Sequence, residues 1–161
     1  FNIIGRFLWA SASDFIGRQR TYAVFFLLGI LLYASAPSAG RSGSVALFAG
    51  TLCVILTMYG GGFATIPAYL ADLFGTQFVG AIHGRLLTAW STAGILGPVL
   101  VTRIREYQLD RGMPAAQVYN TTMYVLAGFL GLGLLCNLAV GPVAERYFMA
   151  ESELLALRGG K

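Results

Sequence analysis

The sequence predicts an all-α membrane protein. Three observations lead there: 57% of the 161 residues are apolar or aromatic and only 11% are charged; apolar runs approach the roughly 20 residues that cross a bilayer as a helix; and the period-2 alternation of a membrane barrel is missing. Soluble domains carry about 25% charged residues, and a chain this short buries only about 70% of its surface. The apolar remainder therefore needs lipid as its solvent. The same composition excludes disorder, which requires few apolar residues and much charge. Helices follow because every backbone polar group must be paired within the hydrocarbon.

Residues 1–12 read as the tail of a helix, and a chain that begins with Phe1 is expected to be a piece of a longer one. Residues 1–20 comprise that helix end and a polar loop. Four spans are expected after it, at about 21–36, 44–71, 79–102 and 119–143. The first closes on the turn-like Pro37-Ser38-Ala39-Gly40, and the second has no charge before Asp72. Arg85 falls in the first turns of the third. The segment 103–117 is too charged for hydrocarbon and separates the last two spans, and 144–161 reads as an amphipathic cytoplasmic tail.

Small residues at four-residue spacing (Gly80 and Gly84, Ala64 and Ala68, Ala93 and Gly97, Ala127 and Gly131) suggest faces where helix backbones approach closely. The run Gly60-Gly61-Gly62 with Pro67 weakens one span near mid-membrane. It reads as a hinge of the kind that borders transporter substrate sites, or as a packing kink. Cys53 and Cys136 lie in separate apolar stretches and read as small packing residues rather than a disulfide or metal pair. His83 is the sole histidine and reads as structural or interfacial. The glycine triplet lacks the Lys-Ser/Thr of a phosphate loop. No enzyme, cofactor or metal site is expected.

Net charge is +4, yet the only basic cluster is Gly17-Arg18-Gln19-Arg20, which suits a membrane-flanking loop and not a nucleic-acid surface. Charges inside spans are costly unless they face protein or water. Arg6 is the best such candidate. It precedes Asp14 by eight residues, about 12 Å along a helix. A guanidinium there is suited to hold a carboxylate through two charged hydrogen bonds; snorkelling or a structural ion pair is the alternative.

The turn Ala10-Ser11-Ala12-Ser13-Asp14-Phe15-Ile16-Gly17-Arg18-Gln19-Arg20 resembles the loop signature Gly-x-x-x-Asp-x-x-Gly-Arg-x-Arg of the major facilitator superfamily. Asp14, Gly17, Arg18 and Arg20 match, and Ala10 replaces the first glycine. With four spans to follow, the resemblance implies the C-terminal half of a 12-helix major facilitator fold, from the end of helix 8 through helix 12, and a missing N-terminal half as partner. It also implies that Asp14, Arg18 and Arg20 help lock a gating interface at the cytoplasmic face, where Gly17 permits the turn.

The stretch from Gly60-Gly61-Gly62-Phe63 through Asp72-Leu73-Phe74-Gly75, continued by His83-Gly84-Arg85 through Gly94, is similar to the oxalate/formate antiporter family. That resemblance implies an anion site with an arginine in helix 8, matched by Arg6, a lysine in helix 11, and surrounding aromatics. Trp90 stands about where the lysine would fall. One fixed cation suits a monocarboxylate such as pyruvate or formate better than oxalate.

Thr65, Tyr69 and Asp72 share one helix face, and Thr88, Ser91 and Ile95 another, with Trp90 beside it. Tyr59, Tyr69 and Trp90 offer ring edges and polar tips to a small anion. Tyr22 and Tyr147 read as interface anchors. Asp72 and Arg85 each sit at a helix end disfavoured by the macrodipole, so a mutual ion pair across their loop is expected to form a gate, with solvated loop charge as the alternative.

The basic residues divide six to four, with Arg18, Arg20, Arg85, Arg146, Arg158 and Lys161 inside and Arg41, Arg103, Arg105 and Arg111 outside, which supports a cytoplasmic loop. The expected function is secondary active transport of a small organic anion, a monocarboxylate, by alternating access in the plasma or inner membrane. The expected partners are that anion, a coupled proton or counter-anion, and membrane lipid. The rival expectation is a non-transporting membrane sensor or scaffold with the same fold.

Overall fold

The computed structural model describes residues 1–115, 117–141 and 143; the expected tail 144–161, with Arg146, Tyr147, Arg158 and Lys161, lies outside them. The described residues form five α-helices and no strand: α1 (Asn2–Ile16), α2 (Arg18–Arg41), α3 (Val45–Phe74), α4 (Val79–Asp110) and α5 (Asn120–Leu138). Helices α2 to α5 are each long and apolar enough to cross a membrane. Large apolar side chains stand outward along them, with Leu31 67%, Ile95 69% and Leu135 64% exposed. In water such a surface would aggregate, so it belongs against lipid or another protein surface.

Gly17 separates α1 from α2 as a single residue, with φ 94° and ψ 141°. Residues with a Cβ rarely adopt that conformation, so the chain turns there and nowhere nearby. Helix α2 does not stop at the expected turn of residues 37–40 but continues to Arg41. Pro37 withholds one backbone N–H, yet Ala36, Pro37 and Ala39 are buried, and their packing holds the last turn in place of that bond. Ser44 starts α3, its side chain accepting from the backbone N–H of Leu47 at 3.3 Å. From there α3 is one helix of 30 residues that runs through Gly60, Gly61, Gly62 and Pro67.

Helix α4 also outruns its apolar stretch, ending at Asp110 rather than near 102. Its polar extension is tied by an Arg103–Glu106 pair at 3.7 Å and by Gln108 donating to Thr121 at the start of α5. A helix needs no hydrocarbon once its polar side chains pair with one another or with water.

The main contacts join α1 to α3 and α2 to α5, with α2 also against α3, while α4 touches α3 and α5 only lightly. The α1–α3 contact is a backbone approach. A Cβ on Gly5 would collide with the backbone of Thr57, one on Gly60 with the carbonyl of Asn2, and one on Gly61 would lie 2.5 Å from Trp9 Cβ. Trp9 also donates its indole N–H to Thr57 Oγ1 at 3.3 Å. The α2–α5 contact ends in a reciprocal amide clasp: Gln19 donates to the carbonyls of Asn137 and Val140, each at 2.9 Å, and Asn137 donates to the Gln19 carbonyl at 3.0 Å. Asn137 is buried, and the clasp satisfies an amide that would otherwise be costly to remove from water.

At Gly80, Gly84, Gly97 and Gly131, expected to mark contacts, a Cβ would meet no other helix within 4 Å among the described residues. The close contacts fall at Gly5, Gly29, Gly60, Gly61 and Gly133 instead, Gly29 against Leu130 and Gly133 against the Phe26 ring. The thiols also depart from expectation, since Cys53 is half-buried and Cys136 exposed; the spacing of apolar residues alone did not distinguish lipid-facing from interior positions. Helix α4 has no buried residue.

Replacing Gly5 or Gly60 by leucine should prise α1 from α3 and cost about 1–3 kcal/mol by overpacking. Thermal unfolding in detergent should show a lowered midpoint for either variant, whereas Gly128→Ala, which faces open space, should leave it within error.

Candidate functional site

The approach of α1 to α3 decides where Arg6 lies. With Gly5 and Gly60 admitting the two backbones, the Arg6 guanidinium carbon sits 5.5 Å from the centroid of the Phe63 ring. Its Nε donates to Asn2 Oδ1 at 3.2 Å. The Arg6 side chain is exposed and makes no salt bridge among the described residues. Phe63 in turn meets Trp90 edge-on at 5.2 Å, and Trp90 lies 5.4 Å from Tyr59. A cation on a ring face contributes about 0.5–1 kcal/mol at an exposed site, enough to bias the guanidinium toward the ring while leaving its outer donors unused.

Behind these rings a cavity of about 490 Å³ opens between α2, α3 and α4. Tyr59, Phe63 and Trp90 form one side, Tyr22, Phe25 and Phe26 another, with His83 and Leu86 from α4. The Nδ1 atom of His83 is buried without a hydrogen-bond partner among the described residues. Of the residues expected to act together, Tyr59 and Trp90 share the cavity wall, and Arg6 is linked to them only through Phe63, which residue-type reasoning passed over. The i, i+4 spacing of Tyr59 and Phe63 on one helix was the signal that could have found it.

Thr65 and Tyr69 occupy a different face of α3. Tyr22 donates to the Gly62 carbonyl at 2.5 Å, Thr65 Oγ1 approaches the Tyr22 hydroxyl at 3.3 Å and bonds the Gly61 carbonyl at 2.9 Å, and Tyr22 stacks on Tyr69 at 5.4 Å. Thr65 is 1% exposed, so this knot fastens α2 to α3 away from Arg6. Tyr22 is half-buried, and its hydroxyl is committed to α3. No sequence spacing marked it, because its partner is a backbone carbonyl 40 positions away. Ser91 adjoins Trp90 but is exposed, its hydroxyl bonded to the Leu87 carbonyl at 3.1 Å.

A second cluster closes the α1–α2 turn. Arg18 donates to the Ala10 carbonyl at 3.4 Å, to Ser13 Oγ and to Asp14 Oδ1, and its Nε lies 3.5 Å from Asp72 Oδ2. Asp14 and Asp72 stand at the C-terminal ends of α1 and α3, where the helix dipoles disfavour a carboxylate. One guanidinium, only 17% exposed, relieves both. The partner of Asp72 is therefore Arg18 and not Arg85. The dipole argument identified a carboxylate in need of a cation, but the α1–α3 contact brings Arg18 to it first. Arg20 and Arg85 are exposed and form no salt bridge among the described residues. No group of residues able to hold a metal ion occurs among them.

The chain is similar to two carriers. It is 34% identical over 97 residues to the oxalate:formate antiporter of Oxalobacter formigenes, a match covering 60% of this chain and 23% of that protein. It is 22% identical over 149 residues to apicoplast pyruvate carrier 1 of Toxoplasma gondii, covering 90% of this chain and 25% of the other. The chain thus spans about a quarter of the length of either relative. No family model matches the sequence, and no solved structure does.

The Arg18 cluster predicts an asymmetry. Asp72→Asn removes one exposed ion pair and should cost under about 1 kcal/mol. Arg18→Met removes its hydrogen bonds to Ala10, Ser13 and Asp14 as well and should cost about 1–3 kcal/mol. Unfolding midpoints of the two purified variants, measured side by side, check the order.

Proposed function

We propose that this chain is part of a secondary active transporter of a small organic anion, a monocarboxylate, and that it forms the C-terminal half of a 12-helix major facilitator fold in the plasma or inner membrane. The observation that carries the reading is the Arg6 guanidinium, 5.5 Å over Phe63, whose ring in turn meets Trp90, with no carboxylate partner among the described residues. The names of the two similar carriers support an organic anion as cargo, and the loop residues Asp14, Gly17, Arg18 and Arg20 support the fold.

A carboxylate docks on Arg6 through the planar fork of the guanidinium, and its charge is thereby compensated within a low-dielectric wall. A single fixed cation matches a single negative charge. Arg18 holds the ends of α1 and α3 together through Asp14 and Asp72; rearrangement of that cluster, with the exposed Arg20 and Arg85 at the same end, gates the path. Gly60, Gly61 and Gly62 with Pro67 let α3 bend as the gate opens, and Thr65, Tyr69 and Ser91 border the moving segments.

Counterflow of labelled pyruvate into liposomes bearing the full chain tests the proposal. Wild-type protein should concentrate the label, and a membrane sensor or scaffold would bind without exchanging. Arg6→Lys keeps the charge but loses the fork, and uptake should fall at least ten-fold; unimpaired uptake would refute the assignment of Arg6.

A further inference from the structure

The cavity that Phe63 lines is far larger, and far more apolar, than a two- or three-carbon acid requires. About 490 Å³ lies within the range of sites that enclose drug-sized ligands. Its wall carries no lysine, arginine, aspartate or glutamate, and its titratable side chains are the phenols of Tyr22, Tyr33 and Tyr59 and the imidazole of His83. The Tyr22 hydroxyl is already committed to Gly62 and Thr65. Water in such a space would find few of the two to four polar partners that hold it in place, and a second carboxylate there would be buried unpaired. Yet Phe63 both lines the cavity and lies under the Arg6 guanidinium, so a cation stands one aromatic ring away from an apolar hollow.

We infer that the cargo is a monocarboxylate bearing a bulky apolar group, an aryl or branched-alkyl 2-oxo acid, with its carboxylate on Arg6 and its apolar group in the cavity between α2, α3 and α4. This rests on the reading of Arg6 as the carboxylate ligand and adds the part of the substrate that Arg6 does not touch. Charge complementarity fixes one end of the occupant, and the rings of Tyr59, Phe63 and Trp90 receive the other. Each methylene or methyl group buried there should tighten binding by roughly four-fold, so selectivity rises with the size of the apolar group and falls with any second charge.

The test is competition against labelled pyruvate in counterflow by the full chain in liposomes, using unlabelled pyruvate, 4-methyl-2-oxopentanoate, phenylpyruvate and 2-oxoglutarate, followed by counterflow of labelled 4-methyl-2-oxopentanoate itself. The two bulky monocarboxylates should compete at concentrations at least ten-fold below that of pyruvate, and 2-oxoglutarate, similar in length but doubly charged, should do no better than pyruvate. Ala89→Phe, which places a ring at the cavity wall, should lower the ratio of 4-methyl-2-oxopentanoate to pyruvate affinity at least five-fold. If that variant does not fold, the wild-type competition series decides alone. Equal competition by all three monocarboxylates, as when a lipid chain occupies the hollow, would overturn the inference while leaving Arg6 as the carboxylate ligand. Failure to exchange any of the four acids would overturn that reading too.

Discussion

The backbone contact between α1 and α3 is the constraint on which the rest depends. Gly5 meets Thr57, and Gly60 and Gly61 meet Asn2 and Trp9, at separations that no side chain could share. In lipid, apolar burial offers helices little drive to associate, and close van der Waals approach with an occasional interhelical hydrogen bond takes its place. The Trp9–Thr57 bond is such a supplement. Because this contact fixes the register of α1 on α3, it sets Arg6 over Phe63 and Arg18 beside Asp72. One packing event thus positions the candidate ligand and the candidate gate, two turns or more apart along α1.

The remaining helices are held unequally. Helices α2 and α3 share the Tyr22–Thr65–Tyr69 knot, and α2 and α5 share the Gln19–Asn137 clasp. Helix α4 has no buried residue and reaches α3 through Trp90, against Tyr59 and Phe63, and α5 through Gln108. The cavity lies where this loosely held helix departs from the tighter group. Changes in α4 position would therefore alter the cavity wall without disturbing the contact that places Arg6.

The fold class was legible in composition because lipid, unlike water, leaves few alternatives: apolar runs of sufficient length must be helices. Helix ends were less legible. Residues 37–40 and 103–110 carry turn-forming or charged residues, but tertiary burial around Pro37 and side-chain pairing at Arg103 keep them helical. Arg6, Tyr59 and Trp90 stood out because a charge or a polar ring in a span is costly and so invites a reason. Phe63 and Tyr22 did not stand out, since a phenylalanine in an apolar run is unremarkable by type and a phenol bonded to a distant carbonyl leaves no periodic trace. The glycine pairs show the same limit, as spacing marks many possible contacts and only the three-dimensional register selects Gly5, Gly60 and Gly61.

The central claim is that a planar cation at position 6 holds the carboxylate. Its most direct test is chemical rescue: equilibrium binding of labelled pyruvate to the full chain carrying Arg6→Ala, with and without added guanidinium or methylammonium. The side chain is exposed, so a small cation can reach the vacated position. Binding should be lost in the variant and restored in part by guanidinium but not by methylammonium. Wild-type affinity in the variant without any added cation would contradict the claim.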